Sequence, residues 1–323
     1  MNAPPFRRAI RVCWLLVGLA GAAVAAQPQG GRIAFSILDG EQIVHVSQIE
    51  FRSTPGEASV TSTVGITHRS PLRLDPGEGF ERTFVLNNDT ASDQAFRAVL
   101  ILDDRQTAFA LDGATRDHHA LTVPANGQLR LRAAFPGQDA PGLHNFVFVV
   151  FYEVRFPDSA ASGILTPYAD SLLVGEADAE QGSLARPADE AFAQGQPVPA
   201  SRSVPPRGLT LSRVADPTSE GELLRSPLAL PASQPRDEHV NVRNGLPRQG
   251  EADEFVLIAL LDGVQVPIDG DDLVAHFTLP RNGLATVSAR LEAPGPGAHA
   301  LDVLAIRNPY DFLISMGALE VLY

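Results

Sequence analysis

The residues of this sequence best suited to chemistry are two clusters of aspartate. Asp103 and Asp104 are adjacent, and a second cluster surrounds Gly270. Paired carboxylates can act as general acid and base, and carboxylate oxygens are ligands that calcium prefers. The candidate calcium ligands are Asp262, Asp269, Asp271 and Asp272. Aspartate also favours turns, because its side chain bonds the neighbouring backbone. We therefore interpret both clusters as turns and expect no metal or other cofactor, with calcium as the alternative for the second cluster.

The histidines and serines do not form a recognisable catalytic motif. The eight histidines include no H-E-x-x-H pair, and no serine lies in a G-x-S-x-G elbow. His118 and His119 are adjacent, so on a strand they would point to opposite faces. His144 and His299 lie 155 positions apart, too far along the chain to suggest one local site. We predict no catalytic residue and no enzyme activity; a hydrolase with a dispersed carboxylate site is one alternative.

Aromatic residues support a second alternative, carbohydrate binding. Sugar sites use flat aromatic platforms, and this chain has four tyrosines and one tryptophan. Tyr152, Tyr168 and Tyr310 lie in corresponding regions of the two halves of the chain. If they were exposed together, they would form a surface patch able to bind a carbohydrate polymer.

The N-terminal residues predict export. In the 323-residue chain, residues 1–26 combine Arg7, Arg8 and Arg11 with an apolar run and a small-x-small sequence ending at Ala25, which is typical of a secretory signal peptide. Cleavage near Ala25-Ala26 would remove the only cysteine and the only tryptophan. The 25 basic residues are all arginine and the net charge is -13. This charge argues against nucleic acid as a partner, and no segment after residue 26 resembles a membrane span.

Five short motifs recur in the same order in the two halves, at offsets of 155–159 residues. They are Arg69-Ser-Pro-Leu with Arg225-Ser-Pro-Leu, residues 96–106 with 255–265, Asp112-Gly with Asp269-Gly, residues 122–127 with 278–283, and Pro141-Gly-x-His with Pro296-Gly-x-His. This order predicts an internal duplication.

Each copy consists of short apolar segments separated by turn residues, which predicts strands. Residues 95–102 form a run that is apolar apart from Arg97, typical of a strand buried on both faces. Asn126-Gly127 and Asn282-Gly283 predict hairpin turns, because Asn-Gly favours the positive φ angles that such turns need. About seven strands per hundred residues predict an all-β protein of two tandem immunoglobulin-like sandwiches.

The segments outside the copies complete the domain assignment. Residues 32–51 contain an Asp-Gly turn and predict a hairpin that extends the first sandwich, assigned to residues 27–175. Residues 176–208 are rich in proline and alanine and predict a flexible linker, which proteases would cut first. The second sandwich is assigned to residues 209–323.

Each copy resembles the bacterial immunoglobulin-like modules of the cell-adhesion-related (CARDB-like) type. The resemblance rests on Asn88 and Asn244, Leu261-Asp-Gly, Asn282-Gly283 and Gly297-x-His299, and it covers residues 69–175 and 225–323. In such domains a residue near the start of one strand ties back to the preceding chain, and His144 and His299 occupy that position. The resemblance implies a non-catalytic protein of the bacterial cell envelope that acts through module surfaces, on a protein or polymer partner.

Overall fold

The computed structural model describes residues 29–54, 57–66, 71–156, 159–175, 193–194, 196–197, 208–212, 236–243, 252–268, 271–280, 283–291, 300–307 and 321–322. Every regular element in these ranges is a strand. The strands of the first half are β1 (Gln29–Asp39), β2 (Gln42–Thr54), β3 (Glu57–Ile66), β4 (Leu72–Leu74), β5 (Phe80–Asn88), β6 (Gln94–Leu102), β7 (Arg105–Gln106), β8 (Phe109–Leu111), β9 (Ala114–Arg116), β10 (His118–Val123), β11 (Gly127–Phe135), β12 (Gly142–Phe156) and β13 (Ser159–Val174).

The second half has ten strands within the described ranges. They are β14 (Ala193–Gln194), β15 (Gln196–Pro197), β16 (Gly208–Ser212), β17 (Arg236–Arg243), β18 (Ala252–Leu261), β19 (Val264–Val266), β20 (Val274–Pro280), β21 (Gly283–Leu291), β22 (Ala300–Arg307) and β23 (Val321–Leu322).

The first half forms two sheets packed face to face, which we call the first sandwich. Sheet A has the order β3-β2-β1-β5-β11-β8-β9, and sheet B has the order β10-β6-β12-β13-β4 with β7 beside β6. Side chains from both sheets meet in one core, in which Phe35 and Phe84 of sheet A lie against Phe148 of sheet B. The prediction of an all-β sandwich is confirmed for this half.

The second half also has two sheets. Sheet C has the order β14-β20-β18-β22-β23 with β19 beside β18, and sheet D has the order β15-β21-β17-β16. The pairings of the first half recur here. Strand β5 pairs with β11 as β17 pairs with β21, and β6 pairs with β7, β10 and β12 as β18 pairs with β19, β20 and β22.

Three hairpins turn on two residues that both have positive φ. The pairs are Asp103-Asp104 (48° and 64°), Asp112-Gly113 (47° and 81°) and Asp262-Gly263 (52° and 84°). Positive φ at both central positions defines the turn whose twist matches two antiparallel strands. Asp and Gly tolerate this region of the backbone best. These carboxylates are therefore turn residues, as their sequence context indicated.

The predicted hairpin over residues 32–51 is present as β1 and β2, which join at Asp39 and Gln42. Strand β1 also pairs with β5, so the hairpin extends sheet A. Strand β3 then adds a further strand beyond β2.

The predicted hairpins at Asn126-Gly127 and Asn282-Gly283 are wrong. Asn126 has the expected positive φ of 50°, and the Gly127 amide donates to the Pro124 carbonyl at 3.0 Å, so a tight turn is present. However, β10 belongs to sheet B and β11 to sheet A. In the second half, β20 and β21 likewise lie in different sheets, although Asn282 itself is outside the described residues. The sequence at Asn126-Gly127 determines the turn itself. Which strands pair depends on the side chains that each strand buries in the core, and here the chain crosses from sheet B to sheet A after the turn.

The flexible linker predicted for residues 176–208 stays a prediction, since only five of its residues are described, in β14, β15 and the start of β16. Ala193–Gln194 pairs with β20 and Gln196–Pro197 pairs with β21. Backbone hydrogen bonds to the second half hold these residues in place. The rest of residues 176–207 lies outside the described part of the chain.

Candidate interaction surfaces

His144 connects the start of β12 to two loops of the first sandwich. It is buried, with Nδ1 2.6 Å from Asp103 Oδ2 and Nε2 2.7 Å from the carbonyl of Ala140, four residues earlier. The second carboxylate oxygen of Asp103 accepts the Asn145 amide at 2.9 Å. A bond back to the preceding chain is the contact that a corner residue makes. Both ring nitrogens and both carboxylate oxygens are engaged, so this His–Asp pair acts as a structural tie.

The outer face of sheet B packs against sheet C of the second half. This contact, which we call the module interface, is one cluster of buried apolar side chains. Its members are Val99, Ile101, Val147, Val149 and Phe151 of sheet B with Val256, Ile258, Leu260, Val274, Leu304 and Ile306 of sheet C. Burying each aliphatic side chain of this size contributes about 1.5–3 kcal/mol. The apolar cluster therefore holds the two halves together.

Polar contacts at the edge of the module interface are reciprocal. The backbone N–H of Gln106 donates to the side-chain Oε1 of Gln265 at 2.7 Å, and the backbone N–H of Gln265 donates to the side-chain Oε1 of Gln106 at 2.7 Å. Gln106 and Gln265 occupy the same position of the recurring motif. A reciprocal contact between equivalent residues is the signature of an isologous, two-fold interface. Gln106 and Gln265 therefore contact each other in the way that residues close to a two-fold axis do.

One ion pair breaks that symmetry. Arg97 of β6 bonds to Asp302 of β22, and its guanidinium also lies 5.2 Å from the ring centroid of Phe151. Burial raises the pKa of Asp302 to about 6, although the charge of Arg97 opposes this shift. Desolvation therefore exceeds the benefit of the pair, as is common for buried carboxylates.

Two histidines lie at the same boundary. Burial lowers the pKa of His118, and the positive charge of Arg97 adds to the effect. His276 Nε2 lies 3.4 Å from Asp104 Oδ2, while the other oxygen of Asp104 is buried without a hydrogen-bond partner. The Asp104 carbonyl accepts Gln265 Nε2 at 3.1 Å. Polar side chains therefore surround the apolar cluster at the edge of the module interface.

The calcium candidates are distributed over two loops. Asp262 lies in the turn between β18 and β19, and Asp271 and Asp272 lie in the loop before β20. Across the described ranges, no three His, Cys, Asp or Glu residues are grouped so that they could hold a metal ion. Asp269 lies outside those ranges.

The predicted tyrosine patch is wrong for two of its three members. Tyr152 and Tyr168 are buried in the first sandwich, at 7% and 4% exposure. Tyr152 contacts the ring of Phe51 edge-on, and the Tyr168 hydroxyl donates to Asp170 at 3.0 Å. Burial and the Asp170 carboxylate raise the pKa of Tyr168. These rings fill the core of a sandwich that has no tryptophan. Tyr310 and His299 are outside the part of the chain that the structure describes.

The adjacent histidines separate as their spacing predicted. His119 is buried, lies 4.6 Å ring to ring from Phe109, and has Nε2 3.0 Å from the Phe109 carbonyl. His118 lies on the other face, toward the second half, and packs close to Gly263. A Cβ atom added to Gly263 would lie 3.3 Å from His118 Cγ. They belong to two different environments and share no site.

Strand β3 forms one end of sheet A, and in the described ranges it pairs only with β2. It is ten residues long, and residues 58–66 contain neither a charged residue nor proline. Natural sheets usually protect such edges with charge, proline or a very short strand. The edge strands β4 and β9 are each three residues long. Among the strands at sheet ends in the described residues, β3 is therefore the longest, and residues 58–66 carry none of these protective features.

Sequence reasoning missed the module interface, although a signal for it exists. A sandwich strand facing solvent on one side alternates apolar and polar residues. Residues 98–102 and 255–261 do not alternate, and all of them are buried. The run at 95–102 predicted burial on both faces, which is confirmed for residues 98–102, and the second half covers the outer face.

No family model and no curated protein matches this chain. Among solved structures, it is similar to a Salmonella enterica SafA pilin in complex with the SafB chaperone (15% identity, 78% of this chain, 92% of that chain, TM-score 0.23). It is also similar to the E. coli chaperone DraB (11%, 78%, 92%, TM-score 0.22). A third similarity is to red sea bream transglutaminase (11%, TM-score 0.20), where 75% of this chain spans 28% of that protein. Scores this low carry no functional argument.

In the part of the chain that the structure describes, no helix has the length and apolar character needed to cross a membrane.

Proposed function

We propose that this protein is an exported, non-catalytic interaction protein of the bacterial cell envelope, and that it binds a protein partner by adding an extended strand to β3. The observation that carries the proposal is the place of β3 at the end of sheet A, where it pairs only with β2 among the described residues. An exposed edge offers a row of backbone donors and acceptors, and recognition by strand addition uses this row for affinity.

The register of β3 gives this edge two chemically different faces. Val60, Ser62 and Val64 pair with Phe51, Ile49 and Ser47 of β2, all of which are buried. Thr61 and Thr63 pair with Glu50 and Gln48, which are partly exposed. Paired residues share a face of the sheet. An added strand would therefore extend a core-side face that carries Val60 and Val64 and an opposite face that carries Thr61 and Thr63, so a partner with alternating apolar and polar residues fits best.

The two halves of the molecule together form a rigid frame that holds β3 in position. We infer that the chain arose by internal duplication, since five motifs recur in order and equivalent strands make equivalent pairings. The module interface buries eleven apolar side chains between the halves. A body fixed in this way loses little conformational entropy when a partner binds, which favours a role as a binding or spacer unit. The resemblance to cell-adhesion-related modules fits such a role.

Export is part of the proposal and rests on residues 1–26. A cleaved signal peptide would leave a chain with 22 basic and 38 acidic residues, since three arginines and no acidic residue are removed. Intact mass of the exported protein should show the loss of 25 or 26 N-terminal residues. A full-length mass for the exported form would contradict cleavage.

Within the described residues, the two alternatives have less support than strand addition. Carbohydrate binding required exposed tyrosines, and Tyr152 and Tyr168 are in the core. A dispersed hydrolase site required free paired carboxylates, and Asp103 is held in a turn by His144 and the Asn145 amide.

Photo-cross-linking from β3 tests the proposed function. A photoreactive residue at Thr61 or Thr63 should cross-link one partner in cells, and the linked peptide should come from an extended segment of that partner. The control is the same residue at Glu50, which lies beside Thr61 but one strand inside the sheet, and there the yield should be several-fold lower. Equal yields at the three positions, or none at Thr61 and Thr63, would overturn the proposal.

A further inference from the structure

The sequence of β3 is self-complementary. Residues 60–64 read Val-Thr-Ser-Thr-Val, which is the same in both directions around Ser62. We propose that the strand added to β3 is β3 of a second copy of this chain, forming a two-fold antiparallel dimer centred on Ser62. This inference rests on the proposed function and names the partner.

The geometry of antiparallel pairing restricts how a strand can pair with itself. Directly opposed residues alternate between hydrogen-bonded and non-hydrogen-bonded pairs. A two-fold axis makes a pair and its symmetry mate identical, so the axis must pass through one residue pair and not between two. Self-pairing of β3 must therefore be centred on a residue. Ser62 is the centre of its only five-residue palindrome.

With Ser62 at the centre, each cross-strand pair is favourable. Val60 lies opposite Val64 of the second copy, and Thr61 lies opposite Thr63. Pairs of β-branched residues and of threonines stabilise antiparallel sheets. Residues 58–66 contain no charge, so no like charges face each other across the axis, which would otherwise oppose a symmetric pair.

The dimer also extends both faces of the sheet consistently. Positions 60, 62 and 64 are in register with buried residues of β2, and positions 61 and 63 are in register with partly exposed ones. Because paired residues share a face, the core-side residues of one copy continue those of the other. The result is one sheet with seven strands from each copy, and it removes both β3 edges.

Charge reversal across the proposed axis tests the register. In Thr61→Lys with Thr63→Lys, each lysine faces another lysine, so sedimentation equilibrium of the exported chain should show self-association weakened at least tenfold. In Thr61→Lys with Thr63→Glu, each lysine faces a glutamate, so association should equal or exceed that of the unaltered chain and weaken with added salt. Both variants change the same two positions, and far-ultraviolet circular dichroism checks that they fold alike.

A disulfide test does not depend on charge. In a chain with Cys13→Ser, Ser62→Cys should form a disulfide dimer on mild oxidation, because two-fold related residues at the centre lie within disulfide range. Ser59→Cys is the control; its symmetry mate would lie about 20 Å away, six positions along the strand, and should not cross-link.

The outcomes separate this inference from the proposed function. A dimer that is equally stable in both charge variants, or equal disulfide yield at positions 59 and 62, would overturn the inference. A monomer at all concentrations would also overturn it. In that case, cross-linking from Thr61 to a different protein would leave strand addition standing, whereas no cross-link at Thr61 or Thr63 would remove both.

Discussion

At the scale of single residues, two buried polar side chains of the first sandwich, Asn88 and His144, are held by backbone carbonyls. Asn88 is fully buried, and its side-chain Nδ2 donates to the backbone carbonyls of Ser92, Val123 and Pro124 at 2.8–3.0 Å. Its Oδ1 accepts the Thr90 amide at 3.0 Å. Buried polar groups are costly unless paired, so Asn88 fixes where β5 ends and how the chain reaches β6. His144 does the same at the start of β12.

Replacement of His144 tests its role as a tie. His144→Ala leaves Asp103 and the Ala140 carbonyl without their partner and opens a cavity, so we expect the free energy of unfolding to fall by about 2–4 kcal/mol. Urea denaturation measures this loss. Arg130→Ala, at an exposed position of β11, should change stability by about 0.5 kcal/mol or less. Equal effects of the two substitutions would show that His144 ties nothing.

Asp302 gives the stability of the protein a pH dependence with a defined sign. Burial raises the pKa of Asp302 from 3.8 to about 6, so the folded state binds its proton more tightly than the unfolded state does. The contribution of Asp302 to the free energy of unfolding is therefore fully present below about pH 4 and is lost as the pH rises to about 6. Relative to Asp302→Asn, the free energy of unfolding should fall across this window by up to about 3 kcal/mol.

The same substitution provides the control for this pH effect. His118, whose pKa is lowered, favours the opposite trend, but it is present in both proteins and largely cancels in their difference. Urea unfolding of both proteins at pH 4, 5, 6 and 7 gives the result. A difference that stays constant or grows with pH would show that Asp302 is not buried in this way.

At the scale of elements, the two-residue hairpins set the edges of the sheets. In Asp112-Gly113 and Asp262-Gly263, the glycine has nearly the same φ, +81° and +84°. Their surroundings differ. A Cβ on Gly113 would meet nothing within 4 Å, whereas a Cβ on Gly263 would lie 2.5 Å from Arg97 Cδ and 3.3 Å from His118 Cγ. The second hairpin is packed against the other half of the molecule.

This matched pair of glycines isolates the cost of crowding at the boundary. Gly113→Ala should lower stability by about 1–2 kcal/mol, the cost of left-handed backbone for an L-residue. Gly263→Ala carries the same backbone cost and also displaces Arg97 from Asp302, so we expect at least about 1 kcal/mol more. Thermal or urea unfolding of the two variants gives the comparison. Equal losses would mean that Gly263 does not contact the first sandwich.

Sequence predicted the strands better than their partners. The apolar run at 95–102 predicted β6, and the Asp-Gly turn predicted the β1–β2 hairpin, because both signals are local. Asn126-Gly127 predicted a turn correctly but assigned its flanking strands to one sheet. Val123 and Leu129 contribute to the same core from two different sheets. The sheet to which each strand belongs depends on tertiary packing, which the turn residues do not encode. The Gln106–Gln265 contact likewise joins positions 159 residues apart, and no local pattern indicates it.

At the scale of the whole molecule, the module interface makes one body of two sandwich-like halves. Its apolar cluster is ringed by Arg97–Asp302, Gln106–Gln265 and Asp104–His276. Apolar burial supplies the stability, and the reciprocal glutamines fix the register. The interface uses the faces of sheets B and C and leaves the β3 edge of sheet A uncovered within the described residues.

A charge in the centre of the module interface should separate the halves. Leu260 is fully buried there, and burying an unpaired carboxylate is strongly unfavourable. Leu260→Asp should therefore raise the radius of gyration in small-angle scattering and split urea unfolding into two transitions. Ile43→Asp, at a position 47% exposed, should leave both properties unchanged. A compact Leu260→Asp protein with one transition would show that the cluster does not join the halves.

The most direct measurement of the central claim is residue-resolved amide hydrogen exchange along β3. In an antiparallel strand, alternate amides point to alternate sides, so every second amide of residues 58–66 should exchange rapidly in the unbound monomer. On binding, whether to a second copy at high concentration or to another cross-linked partner, these same amides should become slow while β9 and β10 do not change. Binding that leaves every β3 amide unchanged would contradict the account.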